Sequence, residues 1–253
     1  MVLKQIGGSR QRLDQLLVAR DLVLSRSQAR DLILRGKVQV AGSIARKPSQ
    51  MLPSDVEITL DRADARFVSR AAHKLIAALD AFSFSCDGVR ALDVGASTGG
   101  FTQVLLERGA SEVIAVDVGQ RQLDPALAED RRVRSLEKTD ARRVGSEGLV
   151  KADRTALVCD VSFISVTKVL PHVLPLAVDH AWLVVLVKPQ FEVGPDHVGK
   201  GGIVRDYTRR EEAVQTVSDL ISGEPGWTVV GQVPAPISGG DGNQEYLIGA
   251  RRG

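Results

Sequence analysis

The sequence predicts an α/β protein: a sheet with helices on both faces, preceded by a small basic α+β head. Three observations predict it. From Arg90 onward, short aliphatic runs alternate with segments of helical period. A glycine-rich stretch, Gly95-Ala-Ser-Thr-Gly-Gly, follows the first such run and opens a helical one. Charge is also uneven: residues 1 to 50 carry ten Lys or Arg against three Asp, so a segment of +7 precedes 203 residues of −5. A chain of 253 residues with 43% hydrophobic and 25% charged residues is ordinary for one or two globular domains. With only 4% aromatic residues, the core must be mostly aliphatic.

In the head, Leu13, Leu16 and Leu17 fall at i, i+3 and i+4, the mark of a buried helical face. A second helix is expected after Ser25 as N-cap, with Gln28 completing a capping box and Ala29, Leu32 and Ile33 as its apolar stripe. Gly36 suits the position just past its end. Lys37-Val-Gln-Val alternates like a strand into a turn at Ala41-Gly42, and Val56 to Leu60 reads as the last strand. Arg12, Arg26, Arg30, Arg35 and Lys37 are the cations expected to track phosphates. This segment resembles an S4 RNA-binding domain, which implies RNA as the polyanion. The head is therefore taken as residues 1–60, a short polar linker as 61–66, and the larger domain as 67–253.

The body's strands are expected at Ala91–Val94, Val113–Asp117, Ala156–Asp160, Ala181–Lys188, Thr228–Val233 and Glu245–Ala250, with a helix over Phe101–Arg108. The glycine-rich loop between the first strand and this helix lies where open α/β sheets bind ligands. It reads Asp93-Val-Gly95-Ala96-Ser97-Thr98-Gly99-Gly100-Phe101, not GxGxxG. That spacing suits S-adenosylmethionine, which has no phosphate, better than a dinucleotide. A phosphate-binding Rossmann loop and a purely structural turn stay open at this level. Asp117, ending the second strand, is placed to hold ribose hydroxyls.

Lys74 lies on a helix before the first strand, Asp160 and Lys188 end strands, and Glu245 begins the last one. A lysine closing the most apolar run of the chain is costly unless solvated or paired. The four histidines lack ligand spacing and no CxxC pair occurs, so no metal is expected. Cys86 and Cys159 adjoin apolar runs and read as buried small hydrophobes. No run reaches 18 apolar residues and no signal-peptide pattern opens the chain, so a cytoplasmic protein without membrane partners is expected.

The stretches RFVSRAAHKL, ALDVGASTGGFTQVLLERGA, VIAVDVGQRQL, DVSFIS, LVKPQFEVG, VGKGGIVRD and GNQEYL make the chain similar to the TlyA hemolysin-like rRNA methyltransferases. In that family an S4 domain precedes an FtsJ-like methyltransferase domain. The resemblance implies a Rossmann-like methyltransferase sheet, S-adenosylmethionine as cofactor, and transfer to cytidine 2′-hydroxyls of 16S or 23S rRNA. It implies ribosomal RNA or assembled subunits as partners, and says nothing of oligomeric state. Lys74, Asp160, Lys188 and Glu245 match the family's Lys-Asp-Lys-Glu tetrad. The residues Asp93, Gly95 to Phe101, Asp117, Asp140 and Asp160 match its cofactor positions. One departure follows Asp117: Gly119-Gln-Arg-Gln-Leu-Asp-Pro replaces a segment that commonly carries aromatics. The chain also stops soon after Glu245, where some members continue. Two other readings are a non-catalytic ribosome-assembly factor and a membrane-active hemolysin. The intact tetrad opposes the first; the lack of a spanning or strongly amphipathic segment opposes the second.

Overall fold

The computed structural model describes residues 10–23, 26–60 and 66–253. The described residues divide into two compact units, one ending at Arg70 and the other running from Ala71 to Gly253. The expected capping residue Ser25 lies outside the described residues, as do residues 61–65 of the expected linker.

The first unit contains β1 (Arg10–Arg12), α1 (Leu13–Ala19), α2 (Arg26–Leu34), β2 (Val38–Val40), β3 (Ser43–Ile44), β4 (Met51–Pro53) and β5 (Ile58–Leu60). β1 pairs with β4, and β2 lies between β3 and β5, all antiparallel. Leu13, Leu16, Leu17, Ala29, Leu32 and Ile33 form one buried cluster, as their helical spacing predicts. Gly36 ends α2 at φ +71°. Its N–H donates to Ile33 and that of Lys37 to Leu32, the paired bonds of a Schellman cap. The Gln28 side-chain amide donates to the Phe67 carbonyl at 2.6 Å.

The second unit is built on seven strands. In chain order it runs α3 (Ala71–Phe82), β6 (Arg90–Val94), α4 (Gly100–Glu107), β7 (Glu112–Val116), α5 (Pro125–Ala128), β8 (Val133–Leu136), β9 (Arg154–Cys159), α6 (Leu170–Val173), β10 (Ala177–Val187), α7 (Pro189–Glu192), α8 (Tyr207–Gly223), β11 (Trp227–Pro234) and β12 (Tyr246–Arg252). The sheet order is β11-β12-β10-β9-β6-β7-β8. β6 to β10 are mutually parallel; β12 runs antiparallel to both β10 and β11. Chain order proceeds outward from β6 through β7 to β8, then resumes on the other side with β9 and β10. The crevice between the ends of β6 and β9 is therefore the topological switch point.

Val94, Leu157, Leu183, Val185 and Val187 sit in one aliphatic cluster with Val214 and Val217 of α8. Burial on both faces explains the unbroken apolar run of β10. At the amino edge, buried Arg154 donates to Glu112 and Asp153 at 2.8 Å each, so that end of the sheet is locked by charge. β8 was not expected. Asp160, Lys188 and Glu245 were expected as strand termini; instead Asp160 and Lys188 stand one residue beyond β9 and β10, and Glu245 one residue before β12. That displacement matters, because it frees these side chains from the in-out alternation of the sheet.

Candidate active site

At the carboxyl edge, Gly95 leaves β6 with φ +84°. A Cβ there would lie 2.4 Å from the Asp160 carbonyl oxygen, so the glycine loop and the exit of β9 pack backbone to backbone. Asp117, after β7, accepts from Ser97 N at 2.8 Å and Gly119 N at 2.6 Å, tying the two neighbouring loops together. Between these loops opens a cavity of about 560 Å³, lined by Gly95, Ser97, Asp117, Val118, Gln122, Asp140, Arg142, Asp160, Val161 and Phe163, among others.

Not every expected cofactor residue faces this space. Gly95, Ser97, Asp117, Asp140 and Asp160 line it. Ala96, Gly100 and Phe101 are buried beneath the loop, and Gly99 packs against Leu123 and Leu127. The Thr98 carbonyl accepts from Asp124 N at 3.2 Å. These residues shape the loop rather than wall the cavity.

Asp93 is fully buried in β6. Its Oδ2 accepts from Thr102 Oγ1 at 2.7 Å, while Oδ1 is buried with no partner among the described residues. Burial pushes its carboxyl up to about 7, and the charges of Asp160 and Asp117 act in the same direction. An unpaired buried carboxylate oxygen is costly and calls for a cation or donor. Asp140 caps a 3₁₀ turn, accepting from Arg142 N at 3.0 Å, and its carboxylate is gripped by the Arg142 guanidinium. That pairing holds its carboxyl below the usual range. The segment after Asp117, where aromatics are lacking, is shaped by Glu137, which accepts from Arg121 N at 2.6 Å and Gln122 N at 2.9 Å. Val118, 74% exposed, supplies an apolar wall there.

The four tetrad residues form two ion pairs. Lys74 of α3 pairs with Glu245, and both side chains are buried. Lys188 Nζ lies 2.6 Å from Asp160 Oδ1 and donates to Ser162 Oγ at 2.7 Å. The contact with Asp160 is electrostatic without hydrogen-bond alignment, since Oδ1 accepts no aligned bond. Lys188 therefore touches two residues that line the cavity.

Three further residues escaped the sequence reading. Phe163 is 92% exposed at φ +64°, with its ring 5.4 Å from that of Phe191. A bare aromatic on a backbone conformation that L residues avoid is a mark of function. Arg142 lines the cavity beside Asp140. Asn243 is buried, accepts from Val204 N at 2.9 Å and donates to the Gly202 carbonyl at 2.8 Å. It clasps the glycine-rich loop after α7 to the chain leading into Glu245. Only its position in GNQEYL could have signalled it.

In the head, Arg12 and Arg26 both bind the carboxylate of Asp14, which is wholly buried. Arg12 dominates and, with Arg26, holds that carboxyl down to about 2. Arg30 is exposed. Arg35 and Lys37 border a separate concavity with Gln39 and Thr59. Among the described residues no group of acidic, His or Cys side chains could hold a metal ion, and no helix is long and apolar enough to cross a membrane.

A seven-stranded sheet with one inserted antiparallel strand, a cavity at its switch point and paired Lys-Asp and Lys-Glu residues on its edge define a methyltransferase. The chain belongs to the FtsJ-like methyltransferase family, whose profile matches residues 67–252; an S4 domain matches residues 11–58. It is 46% identical to the 16S/23S rRNA (cytidine-2′-O)-methyltransferase TlyA of Mycobacterium tuberculosis, over 96% of this chain and 90% of the relative. It is 39% identical to Hemolysin A of Brachyspira hyodysenteriae, over 93% and 98%. A solved structure from Streptococcus thermophilus assigned to the hemolysins superposes with a TM-score of 0.74 at 36% identity, covering 96% of this chain and 89% of that one.

Proposed function

We propose that this protein transfers a methyl group from S-adenosylmethionine to a cytidine ribose 2′-hydroxyl of ribosomal RNA, in the cytoplasm. The observation that carries the reading is the Lys188 amine, held by Asp160 and Ser162 at the wall of the switch-point cavity. The name of the Mycobacterium tuberculosis relative supports the choice of substrate.

The lining of the cavity supports this cofactor: we assign Asp117 to the ribose hydroxyls, Asp140 to the exocyclic amine of adenine, and Val118 and Val161 to the faces of the base. Asp93 is buried outside that lining, and its orphan Oδ1 is assigned to the amino-acid end. S-adenosylmethionine, when bound, supplies an electrophilic methyl group on a sulfonium that leaves as a neutral thioether. The difficulty then lies in the nucleophile, because a ribose hydroxyl is a weak acid. Lys188 accepts its proton, Asp160 holds the amine in place, and the Lys74–Glu245 pair keeps a further charge pair fixed at the same edge. Exposed Phe163 offers a stacking face for a base drawn out of the RNA structure. Arg30, Arg35 and Lys37 of the head contact phosphates, with the Arg12–Asp14–Arg26 cluster as a structured flank.

Transfer of tritium from labelled S-adenosylmethionine to 30S and 50S subunits, taken from cells lacking this protein, tests the reading. Label in RNA is expected with the wild-type chain and not with Lys188→Ala. A protein that binds the cofactor but labels neither subunit nor free rRNA would refute the proposed substrate. In the same assay Phe163→Ala is expected to raise KM for the subunit by a larger factor than it weakens cofactor binding, because most of the ring is exposed.

Binding of S-adenosylhomocysteine should depend on pH through Asp93. Its carboxyl titrates near about 7, so the unliganded protein is increasingly protonated there below that pH. Seating the ligand's ammonium beside it requires the proton to leave. Affinity is expected to fall about tenfold per pH unit below that point. Titration calorimetry in buffers of different ionisation enthalpy should show proton release, and Asp93→Asn should abolish both effects. A flat profile in the wild type refutes the assignment.

A further inference from the structure

We propose that Ser162 is a positioning residue for methyl transfer. Its oxygen takes one N–H of Lys188 and aims the remaining direction of the amine at the ribose 2′-hydroxyl, while its own O–H is left to donate to the RNA backbone. The inference rests on the reading of Lys188 as the base.

Besides its bond to carbon, an amine nitrogen has three directions. In the neutral amine two are N–H bonds and one is the lone pair. Asp160, 2.6 Å away, holds the nitrogen by charge without an aligned hydrogen bond. That contact alone leaves the amine free to turn about its bond to carbon. Ser162 Oγ, at 2.7 Å, takes an aligned N–H and fixes that rotation, which leaves the lone pair to the direction away from both oxygens. A serine hydroxyl accepts and donates at once. Its oxygen accepts from Lys188 and the residue is exposed, so its own O–H is left to donate outward.

The loop carrying Ser162 is fixed on both sides. Beyond it, Glu192, one turn after Lys188, accepts from Ser165 Oγ at 2.5 Å and Val166 N at 2.9 Å. Between these ties lie the Phe163 and Phe191 rings. The turn that begins at Lys188 and the loop that begins at Asp160 are thus cross-linked along their length, which maintains the Ser162–Lys188 distance.

The proton inventory closes. The 2′-O–H bond breaks toward the Lys188 lone pair as the O–CH₃ bond forms and the S–CH₃ bond breaks; the resulting ammonium returns its proton to solvent. The charged groups on the elements packed around Lys188 are Asp160 after β9, Asp93 in β6, the Lys74–Glu245 pair from α3 and the chain before β12, and Glu192 on its own turn. Replacing Ser162 leaves all of them in place. It removes one acceptor that favours the charged form of the amine, so the pH–rate profile should report the change.

The test is single-turnover methylation of the subunit labelled above, across about pH 6 to about pH 9, with Ser162→Ala, Ser162→Thr and Lys188→Ala. Ser162→Ala is expected to lower the plateau rate about tenfold to a hundredfold and to move the rising limb to lower pH. Melting temperature should stay at the wild-type value, and Ser162→Thr should restore both plateau and midpoint. A wild-type plateau and midpoint in Ser162→Ala, with Lys188→Ala inactive, overturns the role of Ser162 alone. A lowered plateau with an unmoved midpoint also overturns it. Wild-type activity in Lys188→Ala overturns the base assignment and this inference with it.

Discussion

Replacing Lys188 with alanine is expected to lower the single-turnover rate by about 10²–10⁴-fold, the range for losing a positioned general base. S-adenosylhomocysteine affinity should be nearly unchanged, because Lys188 itself does not line the cavity. Its position explains the asymmetry. The residue follows the last apolar position of β10 and stays buried, its amine held by Asp160 and Ser162. Truncation leaves Asp160 facing the cavity without its cation. A rate loss together with an equal loss of cofactor affinity would show that the lysine shapes the cofactor site rather than the nucleophile. Calorimetry alongside rapid-quench kinetics separates the two outcomes.

Gly95→Ala should be nearly as damaging, by another route. The new Cβ would meet the Asp160 carbonyl oxygen at 2.4 Å and the carbonyl carbon at 2.8 Å. Neither can rotate away as a flexible side chain would. Relief requires the glycine loop and the exit of β9 to part, which moves Asp160 and opens the cavity between them. Loss of about 2 kcal/mol or more of stability is expected, strain and clash together, with cofactor affinity reduced more than tenfold. Gly148→Ala is the matched control: it too has a positive φ, +67°, but nothing lies within 4 Å of a Cβ built there. It should show backbone strain alone, about 1 kcal/mol, and unchanged cofactor binding. Thermal unfolding and calorimetric titration of both variants decide the matter.

The elements that could be read from sequence are those whose signal is local. The alternation of β6, β7, β9 and β10 with helices, the glycine loop and the leucine spacing of α1 each fit within a dozen residues. β8 was missed because Val133-Arg-Ser-Leu136 is short, sits at the sheet edge and leaves Arg134 and Ser135 exposed. What was illegible depends on distant partners. Nothing in Arg-Leu-Asp at residues 12 to 14 says that Asp14 is buried and neutralises Arg12 and Arg26 together. Nothing in the chain near Asn243 says that it binds residues some forty positions earlier. The tetrad was identified by resemblance, but its division into Lys74–Glu245 and Lys188–Asp160, and the place of Ser162 beside the latter, needed coordinates.

The position of β12 has a consequence for assembly. It follows every other strand in the chain yet sits inside the sheet, between β10 and β11. β11 has no other strand partner in that sheet, so as the chain emerges during synthesis it must wait for β12 before it can dock through hydrogen bonds. β11 and β12 are near neighbours in the chain, but docking that pair on β10 joins Val187 to Tyr246 across a long stretch of chain, and such distant pairing is slow and is completed late. Glu245 immediately precedes β12, so the buried Lys74 has no counter-charge until the same event occurs. Closing the sheet and arming the reaction edge are therefore one step, and a nascent chain stays inert toward RNA chemistry until its last strand slots home.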